Sequence, residues 1–154
     1  MLVYRIARKS FVRDLSGEGA RLYGGRWNPK GVALVYASES RALAILEYYV
    51  HLDPAFLPID LALASILIPD NASKKEVRIE DLPRDWRTYP APVELARVGG
   101  EWAKDRESLL LFVPSVVVLR ERNVLLNSSH PAMSGVSVVD VEDYFFDARL
   151  SRHR

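Results

Sequence analysis

Two short stretches carry the residue types that do chemistry. In one, Leu43, Leu46 and Val50 recur at helical spacing, and Glu47 falls inside that apolar stripe. A carboxylate is costly to bury unless a cation or hydrogen-bond donors meet it. Glu47 is therefore either the edge of the stripe, reaching solvent or a structural arginine, or an acid held in a pocket for use. In the other stretch, Gly24-Gly25-Arg26-Trp27-Asn28, two glycines let the backbone bend or approach a ligand closely. Arg26 adds a planar, permanently charged fork that suits phosphate, and Trp27 an aromatic anchor with one donor. Such a stretch also serves as a plain tight turn. It has neither the order of a P-loop nor that of a GxGxxG motif, so a nucleotide held here is held by another design.

Other chemistries drop out. Cysteine is absent, which removes disulfides, zinc–thiolate sites and thiol nucleophiles and fits a cytoplasmic protein. His51, His130 and His153 are scattered and form no HExxH, so no metal site is expected. No GxSxG nucleophile elbow occurs. A net charge of +1 gives no general field toward nucleic acid or a membrane, so an anionic ligand has to be held by a few placed cations. The opening residues, with Arg5 and Arg8 among apolar ones, are no signal peptide. The longest apolar runs, such as 61–68, are too short to cross a bilayer. Arg149, Arg152, His153 and Arg154 read as a solvated basic tail.

These residues need elements to position them. A chain of 154 residues is one domain by size, and with 49% hydrophobic and 27% charged residues it can bury a real core. Strands are expected over 2–6, 32–37, 61–68, 109–113, 116–119, 124–126 and 136–146. Residues 10–30, rich in glycine, read as a long packed loop. Ser38 is expected to cap a helix running through about His51, and residues 90–104 carry a second helical pattern. Many strands with about two helices imply a single compact domain of mixed α+β class rather than an alternating βαβ array.

Taken in order, these residues resemble a known family. Tyr4-Arg5, Gly19-Ala20, the Gly24 to Asn28 stretch, Tyr36-Ala37-Ser38, Ala44 and Glu47 follow the opening of the RES domain. Val113-Pro114-Ser115, Asn127 and His130-Pro131 are similar to its close. The resemblance runs over about 2–146, and the family is named for its Arg, Glu and Ser. Relatives usually have Asn-Pro where Ser128 follows Asn127 here, so the family serine is Ser115, preferred for its Val-Pro-Ser setting, or Ser128 or Ser129.

The resemblance implies a fold similar to ADP-ribosyltransferase toxins and a role as the toxin of a toxin–antitoxin pair. It implies cleavage of NAD⁺ at the nicotinamide–ribose bond by hydrolysis or phosphorolysis, or transfer of ADP-ribose to a protein. The implied partner is an Xre-like antitoxin that covers the site, with multimers of the pair; NAD⁺ enters as substrate, with no other cofactor. In this picture Glu47 stabilises the charge developing on the ribose or holds its hydroxyl. Arg5 and Arg26 neutralise the pyrophosphate, Tyr36 stacks on nicotinamide, and Asn28 joins them in binding the dinucleotide. Ser115 supplies a hydrogen bond to substrate or to Glu47. The plainer alternatives are a strand-end ion pair for Arg5, a half-buried strand aromatic for Tyr36 and a turn residue for Ser115. The contrasting reading of the whole is a catalytically inactive module that only pairs with an antitoxin.

Overall fold

The computed structural model describes residues 1–151. Its strands are β1 (Leu2–Arg8), β2 (Leu34–Ser38), β3 (Leu61–Leu67), β4 (Lys74–Glu76), β5 (Leu110–Pro114), β6 (Arg122–Asn127) and β7 (Ser137–Tyr144). They form one seven-stranded sheet in the order β4-β5-β6-β2-β1-β3-β7. Among the described residues only β4 against β5 is parallel. Along β5 and β6, Leu110, Phe112, Val124 and Leu126 enter one core, while Leu111, Val113 and Leu125 enter another with Trp27, Trp86 and Trp102. That alternation is the period of two of a strand covered on both faces. It explains why these runs read as continuously apolar.

The sheet opens in its middle. β1 pairs with β3 along its whole length, from Leu2↔Leu67 to Arg8↔Leu61, and β2 pairs with β6 from Leu34↔Asn127 to Ser38↔Asn123. Between β1 and β2 the register holds one pair, Tyr4↔Ser38. Beyond it Arg5, Ile6 and Ala7 diverge from Tyr36 and Val35, and a cleft of about 1140 Å³ lies between the strands.

Among the described residues three α-helices accompany the sheet: α1 (Glu18–Tyr23), α2 (Arg41–Tyr49) and α3 (Val93–Asp105). The α+β class is as the sequence implies, with one helix more than expected. α1 is a six-residue helix inside the expected loop, bounded by Gly17 at φ 74° and Gly24 at φ 70°. Residues 116–119 form no strand; they belong to the turn between β5 and β6, closed by Glu121 N–H donating to Val118 O at 3.2 Å. α3 packs tightly on the Gly24 to Asn28 turn, because a Cβ on Gly99 would lie 1.8 Å from the Trp27 carbonyl oxygen. Of the basic tail, Arg149 pairs with Asp147 at 2.9 Å, and Arg152, His153 and Arg154 lie outside the described residues. No described helix is long and apolar enough to cross a membrane.

Candidate active site

α2 begins at Ser40, whose extended backbone and Oγ, accepting from Leu43 N–H at 3.1 Å, make it the cap. Ser38, the expected cap, instead ends β2, is 3% exposed and donates its hydroxyl to Asn123 Oδ1 at 2.6 Å. The inward stripe of α2 also differs from expectation: Leu43 and Ala44 are buried, while Leu46 and Val50 are 39% and 51% exposed. Glu47 lies three and four residues on from Ala44 and Leu43, hence on their face, and its carboxylate reaches the floor of the cleft.

Two side chains hold that carboxylate. Ser115 Oγ donates to Glu47 Oε1 at 2.7 Å, and Asn123 Nδ2 donates to the same oxygen at 2.6 Å. Ser115 is 1% exposed, and its hydroxyl oxygen accepts from the N–H groups of Val117 and Val118, each at 3.0 Å. The result is a connected polar network, Ser38 to Asn123 to Glu47 to Ser115, in which every bond orients the next. Among the described residues no hydrogen bond reaches Glu47 Oε2. Ser128 and Ser129 lie elsewhere: Ser128 Oγ is buried without a partner near Gly17, and Ser129 is exposed beside Asn127. Of the three serines, Ser115 is the one bonded to the acid.

The Gly24 to Asn28 stretch folds as a tight turn, with Gly25 and Asn28 bridged in antiparallel fashion. Trp27 is 3% exposed and anchors the turn in the tryptophan core. Its N–H donates to the Tyr36 hydroxyl at 3.1 Å, which donates to Asn28 Oδ1 at 2.7 Å. Burial lifts the Tyr36 phenol well above its ordinary range, so the hydroxyl stays a donor. Asn28 was expected to bind the dinucleotide. It is 1% exposed, and its amide donates to the carbonyls of Ala20, Val32 and Pro29 at 2.8, 3.0 and 3.2 Å. All its polar atoms are engaged inside the turn, so it shapes the wall and offers the cleft nothing.

The two expected cations line the cleft but are not free forks. Arg26 donates through Nη1 to Trp86 O at 2.8 Å and through Nη2 to Thr88 O at 3.1 Å. Burial lowers its pKa, with Glu47 and Tyr36 acting in the opposite sense, so it sits within the field of the acid. Arg5 donates to the carbonyl of Asp14, and burial likewise lowers its pKa against the pull of Asp14. Both stay protonated, as guanidinium does in proteins. His51 lines the cleft, whereas His130 accepts from Ala132 N–H at 3.1 Å and starts a turn. Among the described residues no group of His, Asp or Glu is placed to hold a metal ion.

Sequence reasoning missed Asn123, Ser38 as its partner, and Arg87, which also lines the cleft. The available signal for Asn123 was weak: it stands beside Arg122 at the polar start of β6, and its pairing with Ser38 is set by register. Arg87 carried no signal at all.

The arrangement is a fixed carboxylate that shares one cleft of about 1140 Å³ with arginines and an aromatic ring. The model of the family described as the RES domain matches residues 2–147. The chain is 43% identical over 148 residues to the Prs ADP-ribosylating toxin of Sphingobium sp. strain YBL2, covering 95% of this chain and 92% of that protein. It is 38% identical over 152 residues to Toxin Res of Yersinia enterocolitica, covering 97% and 99%. In fold it is similar to a chain of the crystal structure of the M. tuberculosis MbcT–MbcA toxin–antitoxin complex, with a TM-score of 0.72 at 20% identity over 93% of this chain and 83% of that one.

Proposed function

The chain belongs to the RES-domain family, and on that premise we propose that it is the toxin of a toxin–antitoxin pair and an enzyme that breaks NAD⁺ in the cytoplasm. One observation carries the reading: a carboxylate fixed through one oxygen by Ser115 and Asn123, in the same cleft as Arg5, Arg26 and Tyr36. The bond that breaks joins C1′ of the ribose to the nicotinamide nitrogen. Nicotinamide leaves with the electron pair and positive charge develops on the sugar. Glu47 Oε2 stabilises that charge or holds a ribose hydroxyl. The acceptor then bonds to C1′ and gives up a proton. Arg5 and Arg26 supply the positive field for the pyrophosphate. The Tyr36 ring lies against nicotinamide, its hydroxyl being engaged by the turn, and Ser115 acts through Glu47. NAD⁺ is substrate, and no other cofactor takes part.

A second reading, transfer of ADP-ribose to a protein, is favoured by the 43% identical relative named as an ADP-ribosylating toxin. The same residues serve both, and only the acceptor differs. An Xre-like antitoxin is the partner we propose to cover the cleft, where Val50 and Tyr89, 51% and 83% exposed, offer it apolar contact. The test is to incubate the pure chain with NAD⁺ in buffer, with phosphate, and with cell extract, and to identify products by mass spectrometry. Nicotinamide release with water, phosphate or protein as acceptor is expected; intact NAD⁺ in all three mixtures would overturn the reading.

A further inference from the structure

Of the arginines lining the cleft, Arg5 and Arg26 already donate to carbonyls, whereas Arg87 has no hydrogen bond or ion pair among the described residues. Its backbone is nonetheless held on both sides. One guanidinium, that of Arg26, grips the carbonyls of Trp86 and Thr88 at 2.8 and 3.1 Å, the residues either side of Arg87. Trp86 is 6% exposed and packs with Trp27 and Trp102, and Thr88 Oγ1 donates to Pro90 O at 3.3 Å. An exposed arginine is thus carried by a segment ordered before any ligand arrives, which lowers the entropic cost of using it.

We propose that Arg87 is the cation that contacts the pyrophosphate of NAD⁺, and that Arg26 is a positioning residue that presents it. This rests on the reading of the cleft as an NAD⁺ site. A guanidinium with its fork free meets two phosphate oxygens at once. Arg26 would have to abandon two carbonyls to do the same, leaving the tryptophan-anchored segment unfastened. The arrangement also accounts for a half-buried arginine next to a glycine pair bonding to main chain: its target is the segment that carries Arg87.

Calorimetric titration with ADP and with adenosine tests this. Wild-type protein is expected to bind ADP more tightly than adenosine. Arg87→Ala is expected to weaken ADP about tenfold, the size of one charge-assisted contact, and to leave adenosine unchanged. Arg26→Lys is expected to weaken ADP as well, and the double variant no more than Arg87→Ala alone, because two residues acting through one contact do not add. Unchanged ADP affinity in Arg87→Ala overturns the proposal, and additive losses in the double variant overturn the positioning role of Arg26. Nicotinamide release, followed on the same samples, separates the two readings. Arg87-dependent ADP binding without release from NAD⁺ would leave the subsite standing and sink the cleavage reading. Release with an unaltered KM in Arg87→Ala would do the reverse.

Discussion

Glu47 receives its hydrogen bonds from side chains, Ser115 and Asn123, which stand at the end of β5 and on β6; Arg5 and Arg26 give theirs to main-chain carbonyls of separate loops. The acid is therefore positioned by β6 and by the turn that follows β5, where Val117 and Val118 hold the Ser115 hydroxyl, and takes no hydrogen bond from the loops of residues 14 and 86–88. The cations both depend on those loops and hold them, Arg5 tying 14 to β1 and Arg26 tying 86–88 to the Gly24 to Asn28 turn. The difference separates two jobs. Damage at the floor is expected to appear in the rate of the chemical step, and damage at the rim in affinity and local order.

The largest effect expected is at the floor. Glu47→Ala removes the reacting carboxylate and strands both of its donors. Nicotinamide release is expected to fall at least about 10³-fold, and stability by about 1–3 kcal/mol for the unpaired donors, read by turnover and thermal denaturation. Next comes Asn123→Ala, which keeps the acid but frees it to rotate. Its kcat is expected to fall about 10- to 100-fold with KM little changed, as for a reacting group moved by about 1 Å. A KM effect without a kcat effect would place Asn123 at the rim instead. At the rim, Arg26→Lys cannot span the carbonyls of Trp86 and Thr88. An increase in KM of about tenfold with a smaller change in kcat is expected, together with faster proteolysis between 82 and 92. The smallest effect on chemistry is expected for Gly99→Ala. Its Cβ would collide with the Trp27 carbonyl, so a loss of about 1–3 kcal/mol in stability is expected while the folded fraction still turns over.

Much of the floor was legible in the sequence and little of the rim. Glu47 stood out because a charge in an apolar stripe needs an explanation, and the central strands because both of their faces are covered. Ser38 and Ser40 are equivalent as caps from spacing alone; what separates them is the register Ser38↔Asn123, set by a strand 85 residues away. The valines at 116–118 carry strand propensity, yet the Ser115 hydroxyl captures the N–H groups of Val117 and Val118 and turns the chain. Arg26 read as a phosphate fork because its true acceptors, carbonyls 60 and 62 residues on, leave no mark on the residue types that carry them. Asn28 misled for a related reason: a buried amide satisfied by four neighbours has the same letter as one that faces a ligand.

The most direct test of the division between floor and rim is Glu47→Gln, which keeps an oxygen able to accept from Ser115 and Asn123 and removes only the charge. Turnover of NAD⁺ and calorimetric affinity for ADP are to be measured on the same preparation. The expected result is no detectable nicotinamide release, with wild-type ADP affinity and a melting temperature no lower than wild type. Near-normal turnover in this variant would contradict the account, because the carboxylate would then be structural and the chemistry would lie elsewhere in the cleft.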